Sequence, residues 1–174
     1  LYKNFQGVIL ETIVNGVIKL LQKNERKIGS EAPAICLDML NGEIKVIGMM
    51  ATKVQVMITL PFHHSLSDHL QKVIAKYHDQ AFIYVISSHA LDQTHNLECS
   101  STDFVEFAKK FGVYIDDTVC AKSVFVINKD GQFVYKEITR DVEDELDLEM
   151  LETKLEEAIH FKKKGHVHEN WMGA

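Results

Sequence analysis

The chain has 174 residues, 46% of them hydrophobic and 25% charged, the proportions of one globular domain with enough apolar surface to fold unaided. Its formal net charge of −6, with no basic stripe to interrupt it, argues against a surface that tracks nucleic-acid phosphates. No apolar run approaches the roughly 20 residues that span a bilayer, and the opening "LYKNFQGVIL" lacks a charged region followed by a cleavable apolar segment. A soluble, cytoplasmic protein with neither a membrane nor a nucleic-acid partner is therefore expected.

Two Asn-Gly pairs punctuate the first third. Asn15-Gly16 lies between β-rich runs in "VILETIVNGVIKLLQ", and Asn-Gly supplies the positive φ angles of a tight hairpin turn. Asn41-Gly42, in "APAICLDMLNGEIKVIG", predicts a second hairpin, in which Cys36 alternates with apolar neighbours and is read as core. "KVQVMITL", residues 53 to 60, is apolar and β-branched at nearly every position, as in a strand covered on both faces. Leu66, Leu70, Val73, Ile74 and Tyr77 then recur at helical spacing, and "AFIYVISS" from 81 to 88 reads as the next buried strand, making a β-α-β unit. "NLECSS" is a short strand. "TDFVEFAKKFGV" is a helix, with Asp103 and Glu106 placed as a capping box.

"KSVFVINKDGQFVYKEIT" forms a hairpin turned at Asp130-Gly131. The last helix carries Leu146, Met150, Leu151, Leu155, Ala158 and Ile159 on one stripe, with acids at its start and Lys162 to Lys164 at its end, a polarity that suits the helix dipole. The acids are read as a solvated face rather than a docking surface. Residues 1–164 form a single domain, and "GHVHENWMGA", 165–174, forms a flexible tail.

Taken in order, "FQG", "IGSEAPAICL", "TLPFHHSLSDHLQ", "FAKKFGVYI" and "AKSVFVINKDGQFVYKEIT" resemble the thiol peroxidases, the atypical two-cysteine branch of the peroxiredoxins. The resemblance covers residues 5 to 160 and is strongest in the closing hairpin. It implies a thioredoxin-like α/β fold of peroxiredoxin type, with a central mixed sheet flanked by helices and an N-terminal β-hairpin. It further implies a homodimer and an antioxidant oxidoreductase chemistry in which thiols reduce hydroperoxides.

The family's strand-to-helix junction carries Pro-x-x-x-Thr-x-x-Cys, and an Arg opens the closing hairpin. There the helix dipole and the guanidinium favour the attacking thiolate. Aligned without a gap, Pro61 takes the Pro and Ser65 the Thr, while Asp68 falls where the cysteine belongs; Gln71 supports this register. A one-residue shift would put Ser67 there instead. Lys122 replaces the Arg, keeping the charge without the planar fork. The resolving cysteine of the family lies on a helix between the third and fourth core strands, where only the seven residues His89 to His95 remain.

The resemblance and these departures together predict an inactive, binding-type member, its peroxidatic site converted into a carboxylate and an ammonium, with Asp68 either capping its helix together with Ser65 or also pairing with Lys122. Two alternatives stand beside it. One is a working hydroperoxide reductase or oxidoreductase that uses Cys120 or Cys99 with a thioredoxin-type reductant; Cys120 lies two residues before Lys122, whose charge could activate it. The other is a metal binder built on His63, His64, His69, His166 and His168. No cofactor is implied.

Overall fold

The computed structural model describes residues 10–21, 25–91, 96 and 98–161. The "FQG" segment, Lys162 to Lys164, His166, His168 and the 165–174 tail lie outside the described residues.

Both Asn-Gly hairpins form. β1 (Glu11–Val14) and β2 (Val17–Leu20) pair antiparallel around Asn15 and Gly16, at φ 51° and 80°. β3 (Ile35–Asp38) pairs β4 (Ile44–Ile47). Leu37 and Ile47 face inward on this ribbon, while Cys36 and Val46 pair on its outer face and are exposed. Cys36 is therefore not a core residue. A two-stranded ribbon buries one face only, and alternation fixes which residues share a face without saying which face is covered.

β5 (Val54–Leu60) is buried at all seven positions and occupies the middle of a five-stranded sheet. The order is β11-β10-β5-β6-β7, with β6 (Ala81–Ser87), β7 (Ser100–Ser101), β10 (Ser123–Ile127) and β11 (Phe133–Ile138). β5, β6 and β7 run parallel, and β10 is antiparallel to both β5 and β11. Val54, Val56, Ile58 and Leu60 face the cluster that includes Leu70, Val73 and Tyr77 of α1 (Asp68–Tyr77) and Leu151 and Leu155 of α3 (Leu148–His160). Each fully buried aliphatic side chain of this kind contributes about 1.5–3 kcal/mol.

Met57, Phe125, Ile127 and Phe133 face the second cluster, shared with β3, β4 and α2 (Val105–Phe111). Its centre is aromatic. The rings of Phe107 and Phe111 stack 4.0 Å apart, and Phe111 meets Phe125 edge-on at 5.2 Å. Gly48, at φ 88°, fits here because a Cβ would stand 2.0 Å from the Pro33 carbonyl oxygen. The buried Gln55 amide accepts from Gly48 N and donates to the carbonyls of Gly48 and Met49.

Two local expectations are corrected. Asp103 does not cap α2: its carboxylate accepts from the Asp38 amide across the β3–α2 contact, and the N-cap residue is Phe104, with no side-chain cap. Met150 lies off the buried stripe of α3, 42% exposed. A further small hairpin, β8 (Tyr114–Asp116) with β9 (Val119–Cys120), precedes β10.

Candidate functional site at the strand-to-helix junction

At the end of β5 the chain enters Pro61, whose ring removes a backbone donor and closes the strand. The Pro61 carbonyl accepts from the Ser88 hydroxyl at 3.0 Å, which ties the junction to the end of β6. A short 3-10 turn over His63–Ser65 follows. Ser65 serves that turn: its amide donates to the Phe62 carbonyl, and its buried Oγ accepts from the Phe62 amide at 3.3 Å. The helix starts three residues later. Ser67 is its N-cap, with Oγ accepting from Leu70 N at 3.1 Å, so the expected Ser65–Asp68 capping box does not form. Asp68 becomes the first helical residue and is exposed.

Lys122, between β9 and β10, is 4% exposed. Its Nζ donates to the Asp144 carbonyl at 2.7 Å and stands 3.9 Å from Glu145 Oε1. The expected contact with Asp68 is not made; the loop of residues 141–147 supplies the oxygens instead. A pocket of about 120 Å³ opens at this point, lined by Ser65, Ser67 and Lys122 together with His64, Glu143 and Glu145. His64 Nε2 meets the Glu143 carboxylate at 2.8 Å across its rim. The structure thus brings Ser65, Ser67 and Lys122 together and leaves Asp68 outside. Val142, Glu143 and Glu145, which close the pocket, carry no sequence signal for the junction; they are reached only through the return of the chain after β11.

Cys120 sits beneath the same junction, fully buried. Its Sγ lies 3.9 Å from the Leu60 carbonyl and 3.6 Å from Ser88 Oγ, and its amide donates to Ser88 Oγ at 3.2 Å. Burial pushes the thiol up to about 11, more than its hydrogen bonds from Ser88 and Thr59 pull it down. Lys122 does not activate it. Cys99 is half-buried, and burial raises its thiol more than the nearby Lys45 ammonium lowers it, with the Glu98 carboxylate adding to the rise. Among the described residues no group of three His, Cys, Asp or Glu side chains is placed to hold a metal ion. No described helix is long and apolar enough to cross a membrane.

No protein-family model and no curated protein matches the chain. Solved structures do resemble it. A peroxiredoxin-like protein from Aquifex aeolicus superposes with a TM-score of 0.68 at 21% identity, over 86% of this chain and 98% of that one. A thiol peroxidase from Chromobacterium violaceum gives 0.68 at 15%, over 85% and 96%. AhpC from Enterococcus faecalis gives 0.59 at 18%, over 79% and 98%. With its mixed five-stranded sheet, flanking helices and N-terminal hairpin, the chain has the peroxiredoxin-type thioredoxin-like fold.

Proposed function

We propose that this protein is a binding member of the peroxiredoxin fold that does not reduce hydroperoxides. Reduction by a thiol requires a thiolate to attack the O–O bond, so that sulfur takes one oxygen and the departing oxygen takes a proton. The observation that carries the reading is the composition of the junction pocket: two serines and a buried lysine line it, and the one cysteine beneath it is closed off and pushed up to about 11. The pocket offers hydrogen-bond donors to a small oxygen-bearing ligand, and no sulfur nucleophile among its described lining. Lys122 replaces a fork of donors by a point charge, which suits holding such a ligand without imposing a two-oxygen geometry. The reading includes a cytoplasmic homodimer, on the strength of the resemblance.

The working-enzyme alternative is less favoured for Cys120 on burial. For Cys99 it keeps one supporting feature, partial exposure beside Lys45; a thioredoxin-type protein would be its reductant. The metal-binding alternative is weakened because His64 is engaged by Glu143. A steady-state assay decides between binding module and enzyme: with hydrogen peroxide and dithiothreitol or a thioredoxin system, the protein should add nothing to the background rate, whereas catalytic turnover would defeat the reading.

A further inference from the structure

A second concavity, separate from the junction pocket, lies along the flank of α1. Here β6 ends at Ser87 and β7 begins at Ser100, and beside them the structure holds a cleft of about 360 Å³, three times the volume of the junction pocket. Its walls are apolar: Leu66 and Ile74 from the junction and α1, and Ala81, Ile83 and Val85 from β6. A concavity of 300–1,000 Å³ with apolar walls and few polar groups is the ordinary form of a small-molecule site.

The polar groups at the rim narrow the ligand class. Lys53 donates to the Asp79 carbonyl at 2.9 Å and stands 5.4 Å over the Phe82 ring, and His78 meets the Asp79 carboxylate at 3.1 Å, so both are already engaged. Glu98 adds a negative charge that disfavours an anionic head. The neutral amides remain. Gln71 Nε2 reaches the Leu66 carbonyl only at 3.5 Å, and Asn96 uses its Oδ1 for the Glu98 amide, leaving amide groups to meet a ligand.

We infer that the cleft between α1 and β6 binds an uncharged aromatic or short-chain molecule, its body against Ile74, Ile83 and Val85 and one hydrogen-bonding atom against Gln71 or Asn96. This site does not depend on the chemistry of the junction. Cys99 lines the cleft and serves as its reporter, while Cys36 lies on the outer face of the β3–β4 ribbon and serves as the control.

The probe is N-phenyl-1-naphthylamine, a neutral dye that brightens in apolar surroundings. Saturable one-to-one binding to the full chain is expected, lost by about tenfold or more in Ala75→Trp, an exposed α1 position lining the cleft that the larger ring would fill. Val46→Glu, on the exposed apolar face of β4, should bind the dye as the parent does. Saturating dye should slow alkylation of Cys99 by a neutral maleimide by about fivefold, with Cys36 unchanged in peptide mapping. The inference is overturned if Ala75→Trp keeps both its circular dichroism and its dye binding, if Val46→Glu removes the binding instead, or if Cys99 is alkylated equally fast with and without dye.

Discussion

Cys120 and Lys122 stand two residues apart in one extended segment, both almost wholly withdrawn from solvent, and meet opposite surroundings. The thiol is sealed beneath Leu60 and Ser88 and raised to about 11. The ammonium donates to a carbonyl at 2.7 Å, stands 3.9 Å from a carboxylate and faces an opening lined by two serines. Burial raises the thiol, whereas the buried ammonium has a carbonyl and a carboxylate as partners. The pocket at the junction is thus organised around a cation, with the nearby sulfur shut out of it.

The sharpest way to break this contrast is to put sulfur into the pocket. Ser67→Cys should react with hydrogen peroxide about tenfold or more faster than a free cysteine, because the helix N-terminus and Lys122 both favour its thiolate. Stopped-flow measurements should show the gain vanish in Ser67→Cys/Lys122→Met. Asp68→Cys, at the exposed first helical position, should gain less; the reverse order would place the reactive position at residue 68, as the gapless alignment has it.

Next in size is the pH response of the buried thiol. The Cys120 thiol is raised from 9.0 to about 11 in the fold, so its contribution is complete below pH 9 and is lost as pH rises through 11. The stability lost across that window is about 2–3 kcal/mol, and urea titrations of Cys120→Ala should lack that share of the slope. Lys122→Met should cost about 1–3 kcal/mol, since the Asp144 carbonyl loses its donor. Ser67→Ala should cost about 1 kcal/mol as a lost N-cap, while Asp68→Asn should cost only a few tenths, about the lower limit for an exposed charge in a helix's first turn. Equal losses at 67 and 68 would contradict the capping geometry.

The elements were legible because their signals are local. Asn15-Gly16 and Asp130-Gly131 force their turns, and the unbroken apolar run of β5 announces a strand covered on both faces. The cap was misread because Ser65 and Ser67 are chemically equivalent; only the 3-10 turn after Pro61, which consumes the Ser65 hydroxyl, decides that the helix begins at Asp68. Asp103 was misread because its partner, the Asp38 amide, lies 65 residues away. The junction could be located from "TLPFHHSLSDHLQ" and its lysine from "AKSVF", but the third wall of the pocket, Val142, Glu143 and Glu145, is placed by tertiary return alone. No spacing rule reaches it.

The central claim, that no thiol of this protein is an activated nucleophile, is tested most directly by exposing the native chain to one equivalent of hydrogen peroxide and following all three cysteines by mass spectrometry with a sulfenic-acid trap. Oxidation no faster than that of a free thiol is expected, led by exposed Cys36 and with Cys120 untouched. Rapid and selective sulfenic acid formation at Cys99 or Cys120 would contradict it and restore the protein to the working peroxidases.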